Sequence, residues 1–581
     1  MRKWPLQILK SDLLISNVVL SAIVLGLLVI VLQLWHWSPS VPLSMGGDNS
    51  FYLSIISNMS RGHSLYVNHS LGAPTGQTLY DFPPVGDFLN YGFLQVLALV
   101  TKNVGLTETL FYFSTFFFAA ISANVTARRL GIGRNLSIVI SLLFAFLPYH
   151  FMKNVQHLML SNYFVLPLIL FAALEIIQPR AELTRRRRVL FLLVLGALAG
   201  GTGIYYAIFS FVLLCVVFVL SAVNNKKWKS QLKRFSLYLI GMFSMIVISA
   251  VPTVLYGMKN GFYNFQRSFS DVEYYGLKIA NLFRPIVDHR IGLFRSISAH
   301  FGPSFIPGEP VEMLGIIGAV CLAGLLVFAA HSIFSTRSKS EQELQVSLVA
   351  VVVVVAILFS AVDSFNTIFF VLGLNQIRVW ARITPLIAFC AFAFGAIFFE
   401  RWRQKRNARN PFAYVGLCAV VLTIGIYDQT STTYIPQYQL NSMLWSREEA
   451  FTRAADQAFP AGSMVYQLPV VVFPENGPTV KMEDYAQSFP FVHGSKLRWS
   501  YGHMKTRPSP FHEKAATLNG SKLLNFLKSR EFVGLQITRR GFEDRGEKVI
   551  ADALSHGAKI LYQSSDQEEV LLDIRNVKNK P

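Results

Sequence analysis

Long apolar runs recur along the chain, separated by short polar segments. A helix needs about 20 apolar residues to cross the hydrocarbon layer of a bilayer. Runs near that length lie at 13–35, 106–127, 136–150, 157–177, 189–203, 204–223, 235–256, 313–332, 345–362, 381–400 and 411–427. The stretch 189–223 is too long for one crossing, and Gly200-Gly201-Thr202-Gly203 supplies a break within it. The pattern predicts an all-α polytopic membrane protein of about eleven transmembrane helices. The first run follows a basic start, lacks a small-residue cleavage site and is followed by further runs, so it is predicted to be a retained helix.

The polar segments between the runs alternate in charge. Segments 1–10, 128–134, 178–188, 224–234, 333–344 and 401–410 hold 23 Lys and Arg against three acids. The intervening segments lack such clusters, and 36–90 contains one basic residue, Arg61. By the positive-inside rule the N-terminus is cytoplasmic, and eleven crossings put the C-terminus outside. Three outer segments are long: 36–90, 257–312 and the tail from Asp428. The piece 88–104 is semi-apolar and too weak to span. Strand-like runs at 463–472, 532–538, 559–563 and 569–574 alternate with helix-like stretches at 446–458, 511–528 and 545–556. That alternation predicts a small extracytoplasmic α/β domain over 431–581, after a membrane domain over 1–430.

Composition sharpens this picture. Of 581 residues, 52% are hydrophobic and 15% charged, against about 25% charged in soluble domains. The formal charge is +20, which by itself points towards nucleic acid. The six basic segments account for all of it, since the rest of the chain holds 30 residues of each sign. The excess is therefore a topology signal, and no nucleic-acid partner is expected. Cys215, Cys321, Cys390 and Cys418 sit in apolar runs without metal-ligand spacing and read as small buried hydrophobes. GxxxxGK[ST], HExxH and CxxC are absent, which argues against a nucleotide-driven pump. Acids within the apolar runs are scarce, with Glu175 near a cytoplasmic end.

Candidate chemistry gathers in the outer segments. Met45-Gly46-Gly47-Asp48-Asn49-Ser50 precedes Phe51–Ile56, a stretch fit for a helix on the membrane surface, with Asp48 and Asn49 as its caps. Asp48 is either such a cap or a carboxylate for proton abstraction or metal binding at a lipid headgroup. Asp81 and Asp87 read more readily as turn residues, and His63 stands in the same segment. Tyr149, His150, Lys153 and His157 stand between two crossings, where the two histidines and the lysine could hold a phosphate or sugar hydroxyl, or the His and Tyr could be interfacial anchors. Arg378 and Arg382 are four residues apart, so one helical face would carry both. They stand outside, against the charge bias, where a phosphate would suit a guanidinium. In the tail, Leu497-Arg498-Trp499-Ser500-Tyr501-Gly502-His503 mixes basic, aromatic and hydroxyl groups, as carbohydrate sites and domain interfaces both do.

Several of these pieces together resemble the GT-C class of membrane glycosyltransferases, in particular bacterial polytopic members described as glycosyltransferase or sugar translocase. They are Gly47-Asp48, Leu71-Gly72-Ala73-Pro74 with Asp81-Phe82-Pro83, Leu147-Pro148-Tyr149-His150 with His157, and Ile377-Arg378-Val379-Trp380-Ala381-Arg382. The resemblance covers about 10–430. It implies a bacterial inner-membrane enzyme that takes a sugar from a polyprenyl-phosphate donor on the outer face and passes it to a glycan or glycolipid acceptor. It further implies Asp48 as catalytic base or metal anchor, and Asp81 as the second carboxylate. Arg378, Arg382 and His157 would bind the donor phosphate. His63, Tyr149 and Trp499 would bind substrate, and a divalent cation, Mg or Mn, would be the cofactor. Asn49 follows Asp48 where some members carry a second acid, which leaves the metal site open. The competing readings are a lipid-linked oligosaccharide translocase, with a polar path and no essential carboxylate, and a phosphoglycerol-type transferase.

Overall fold

The structure is a computed structural model, and it describes residues 6–82, 86–181, 183–223, 227–263, 265, 267–301, 308–309, 311–334, 341–405 and 410–577. Residues 1–3 of the basic start, Pro83 and Pro84, and parts of the basic segments (182, 224–226, 335–340 and 406–409) lie outside the described residues.

Helix α1 (Leu6–Val31) opens the chain. The first long loop holds α2 (Asp48–Ser60), a short antiparallel pair β1 (Val67–Asn68) and β2 (Gln77–Thr78), and α3 (Phe88–Thr101). Then come α4 (Val104–Arg129), α5 (Arg134–Ala145), the short α6 (Pro148–Lys153), α7 (Val165–Ile177), α8 (Arg185–Gly201), α9 (Ile204–Val223) and α10 (Trp228–Asn260). The second long loop carries α11 (Ser270–Tyr274) and α12 (Gly292–His300). Next follow α13 (Gly315–Phe334), α14 (Glu341–Ser360), α15 (Thr367–Val371), α16 (Thr384–Lys405) and α17 (Pro411–Gln429). Among the described residues, nine helical segments are long and apolar enough to cross a membrane, and the chain is a multi-pass membrane protein. The other two predicted crossings correspond to the shorter α7 and α8, of 13 and 17 residues, which are not among those nine. The run predicted at 157–177 is helical only from Val165, because 154–164 is built of turns. The break at 200–203 falls as predicted, between α8 and α9, with Gly203 at φ +154°. Helix α10 has 33 residues, roughly 50 Å at 1.5 Å per residue, so it outruns a hydrocarbon core of about 30 Å.

The three long segments meet at one end of the bundle, the loop-rich end: residues 70–73 bond the tail, Arg507 of the tail reaches the carbonyls of Asn260 and Gly261, and His289 lies 3.1 Å from Asp428. The basic segments at 128–134, 178–188 and 224–234 gather with the start of α1 and the end of α16. There Arg129 and Arg180 hold the buried Glu175 carboxylate at 3.0 and 2.9 Å, and Arg128 and Arg134 hold Asp12. Glu175 is thereby explained as a structural ion pair.

The tail begins with α18 (Tyr438–Ala458) and forms a five-stranded sheet of order β4-β3-β5-β7-β6. Its elements are β3 (Met464–Leu468), α19 (Phe489–Val492), β4 (Arg498–Trp499), α20 (Pro510–Thr517), α21 (Gly520–Ser529), β5 (Phe532–Thr538), α22 (Glu547–Ser555), β6 (Lys559–Gln563) and β7 (Glu569–Asp573). β4, β3 and β5 run parallel, and the last two strands are antiparallel. Two residues are too few to show alternation, which is why β4 escaped the sequence pattern. The tail is also stitched to the first long loop. Ser70 accepts from the Trp499 amide at 2.8 Å, while Gly72 and Ala73 donate to the carbonyls of Tyr501 and Trp499. Leu71 and Ala73 complete the tail's own apolar clusters.

Helix α2 forms where expected and is covered by other parts of the chain: ten of its residues are buried, and Phe51 packs against Phe82, Phe473 and Tyr485. Its N-cap is Gly47, at φ +57°, and neither Asp48 nor Asn49 caps it.

Helices α8 and α10 meet at glycines. A β-carbon on Gly196 would collide with the Tyr238 carbonyl, and one on Gly241 with that of Leu193. Small residues of this kind let membrane helices approach closely. Gly196→Val should therefore lower the detergent melting temperature, by an overpacking penalty of about 1–3 kcal/mol. Gly416→Val, on an open face of α17, should leave it unchanged.

Candidate functional site

The site is built where α2, α6, α9 and α16 present their ends to the loop-rich side. Its acid is Asp48, the first residue of α2. The backbone before it is tied down by a buried network. Glu108 of α4, fully buried, accepts from the Leu43 amide at 2.9 Å and from Asn49 Nδ2 at 2.7 Å. Gln156 accepts from the Asn49 amide at 3.0 Å and donates to Ser44 Oγ and the Gly46 carbonyl. Asp48 is left as the residue of this turn whose carboxylate faces outward, half exposed at 47%.

Around it stand charges from distant parts of the chain. His157 Nδ1 lies 3.4 Å from Asp48 Oδ2. Lys153, at the end of α6, is ion-paired with Glu309 of the second long loop. Arg382, just before α16, lies over the Tyr205 ring at 4.4 Å, and its buried Nε has no hydrogen-bond partner among the described residues. Partial burial, with Asp484 and Glu475 of the tail close by, pushes the Asp48 carboxyl up to about 6. Burial, reinforced by Lys153 and Arg382, pushes the His157 imidazole down to about 3, so this histidine is neutral. Burial works to raise Glu309, but Lys153 and Arg382 outweigh it and hold its carboxyl below the usual range. Asp87, before α3, is pushed up to about 7 by burial, against the opposing pull of Asn90 and Arg382.

The predicted residues divide. Asp48, His157 and Arg382 share one electrostatic neighbourhood. Tyr149 adjoins it, buried on α6 and within the field of Arg382 and Glu309. Arg378 does not share a face with Arg382: the backbone is extended between them and turns at Trp380–Ile383, so Arg378 pairs with Asp271 at 2.9 Å over Tyr275. Asp81 is bound bidentately by Arg507, with Nη2 to Oδ1 at 2.8 Å. That pair fastens the first long loop to the tail. His63 is exposed and contacts Asn58 at 3.3 Å. Trp499 is fully buried in the tail core, so its ring faces no ligand. His150 is also structural, bonded to Thr115 and stacked on Phe116. Lys153 was among the residues singled out in the sequence, whereas Glu309 and the tail acids Asp484 and Glu475 were not. Those three come from segments of ordinary polar composition.

No group of three or more ligating side chains able to hold a metal occurs among the described residues. Asp48 has one ligating neighbour at short range, His157, while Lys153 and Arg382 add positive charge nearby. Among the described residues that donor set does not fit a resident divalent cation.

A family model described as "Domain of unknown function (DUF6311)" matches residues 60–377, more than half of the chain. The chain belongs to this family. No curated protein matches the sequence. Among solved structures it is similar to ArnT from Cupriavidus metallidurans bound to undecaprenyl phosphate, at TM-score 0.53 and 12% identity over 96% of this chain and 97% of that one. It is also similar to the arabinofuranosyltransferase AftD from Mycobacteria, at TM-score 0.55 and 13% identity. That second match covers 98% of this chain and 40% of AftD. These neighbours are GT-C glycosyltransferases, and the fold of this DUF6311 member is GT-C.

In the DUF6311 chain the raised Asp48 carboxyl has a consequence for stability. A carboxyl whose pKa is higher folded than unfolded penalises the folded state once it ionises. Asp48→Asn should therefore raise the melting temperature at pH 8. The gain should shrink as pH falls through about 6 and vanish below about 4, where the wild-type carboxyl is protonated folded and unfolded. Melting curves of both proteins at pH 4, 6 and 8 check this.

Proposed function

We propose that this protein is a membrane glycosyltransferase that moves a sugar from a polyprenyl-phosphate donor to a glycan or glycolipid acceptor. The observation that carries the reading is the opposition of a free carboxyl, Asp48, to the cations Lys153 and Arg382 at one end of the bundle. Sugar transfer from a lipid phosphate needs a base for the acceptor hydroxyl and positive charge for the departing phosphate. A carboxyl near 6 is ionised at neutral pH yet more basic than an ordinary aspartate. Neutral His157 can accept or donate a hydrogen bond beside it. Glu309 is the anion that Lys153 holds in the chain itself, and a donor phosphate would share or displace it. The positive-inside bias supports an orientation with this end and the tail outside the cytoplasm and the N-terminus inside it, and the resemblance to bacterial members of the class supports a bacterial inner membrane. The GT-C fold and the undecaprenyl phosphate bound to ArnT support a lipid-linked donor.

Purified protein incubated in detergent with radiolabelled polyprenyl-phosphate sugars and membrane glycolipid extract should transfer label to the extract. Transfer without a bilayer excludes a pure translocase, whereas an inactive, well-folded protein across the donor panel would overturn the reading. Asp48→Asn should lower the rate by about 10²–10⁴-fold, and Arg382→Gln by about 10²–10³-fold. The wild-type rate should rise with pH through about 6, since the base works ionised. In Asp484→Asn that midpoint should move down, because a neighbouring negative charge is gone.

A further inference from the structure

A cavity of about 230 Å³ opens in the tail beside the carboxyl ends of the parallel strands β3 and β4. Ligands of parallel α/β sheets bind outside those strand ends. Its floor is rigid. Gln467 donates to the Gln487 carbonyl at 2.7 Å and to Gln536 at 2.8 Å, and accepts from the Tyr501 amide at 3.0 Å. Tyr466 and Tyr501 supply aromatic walls. His503 and His512 stack at 4.4 Å, with planes 12° apart. His512 bonds Ser509 Oγ at 2.8 Å, and His503 bonds the Arg507 carbonyl at 3.1 Å.

The charges on this wall indicate what kind of ligand fits. Arg507 is committed to Asp81 and to the carbonyls of Asn260 and Gly261, and lies over Tyr256 and Tyr263. Lys505 Nζ is 3.0 Å from the Glu475 carbonyl. Burial keeps both histidines neutral at pH 7, with His512 pushed down to about 4, and Glu513 adds a carboxylate to the lining. The two cations are thus already engaged, which disfavours an anionic ligand. His512 is bonded at its second nitrogen as well, to the Ser500 carbonyl at 3.3 Å, so what the lining offers a ligand is chiefly the faces of its tyrosines and stacked histidines and the Glu513 carboxylate, a set on which a neutral sugar ring can stack and donate. One side of the cavity, Val470–Val472, continues within three residues to Glu475, whose charge acts on Asp48.

From this arrangement we infer that the cavity is a subsite for one ring of a neutral glycan, and that it holds the acceptor chain on its way to Asp48. The acceptor role rests on the function proposed above; the binding does not. The test uses the full-length protein in detergent with maltotriose, chitotriose and mannotriose as probes, inorganic phosphate as the anion control, and saturation-transfer NMR as readout. At least one trisaccharide should bind with a dissociation constant of about millimolar or better. Ala516→Trp and Val470→Trp, both at exposed lining positions, should each weaken it about tenfold or more with unchanged melting temperature. Asp48→Asn should bind as wild type. In the transfer assay the tryptophan variants should raise KM for acceptor and leave KM for donor unchanged. Absence of trisaccharide binding, equal binding by both folded tryptophan variants, or preference for phosphate would overturn the subsite. A change in donor KM alone would overturn its acceptor role. Binding that persists in a protein without transfer activity would sustain the subsite and count against the enzyme reading.

Discussion

The site depends on one buried carboxylate. Glu108 lies at the start of α4 with no solvent exposure, and it is tolerable there because Leu43 and Asn49 donate to it. A buried acid without partners costs several kcal/mol, so the segment that supplies the donors is held as firmly as the acid itself. Asp48 is the next residue along from that anchor's near side. Its position is thereby fixed by α4, a bundle helix, although it belongs to a loop. Asn49 takes part through both its side chain and its amide, which is why its placement after Asp48 has a structural meaning of its own.

The tail then completes what the bundle begins. Asp81 and Arg507 lock the first long loop to the segment after β4, and residues 70–73 extend the sheet edge at β4. Those contacts carry Asp484, Glu475 and Tyr485 over α2, where they cover Phe51 and add negative charge near Asp48. The last turns of α10 also reach the tail, placing Tyr256 against Arg507.

The bundle was legible because each crossing writes its own signal locally. A run of apolar residues is a property of one segment, and so is a cluster such as Arg185–Arg188. The tail's longer strands were legible for the same reason, whereas β4, with two residues, was not. Asp48, His157 and Arg382 could be named from sequence because each stood out against its surroundings. Pairings were not legible. Asp81 and Arg507 are 426 residues apart, and Lys153 and Glu309 are 156 apart. Nothing in a single sequence links such positions. Arg378 and Arg382 show the converse error: a spacing of four implies a shared face only where the backbone is helical, and here it is extended before the turn at Trp380.

Arg382 is held differently from Arg378 and Arg507. Its Nε is buried and makes no hydrogen bond among the described residues. An unmade buried hydrogen bond costs about 1–3 kcal/mol, more when the group is charged. The chain could have placed a carboxylate against it, as it does for Arg378, Arg507 and Arg129. Instead it offers an aromatic face, Tyr205, which attracts the cation without occupying its donors. The guanidinium is thus held by an aromatic face rather than by an ion pair, and Asp48 stands in the same neighbourhood with no arginine paired to it among the described residues.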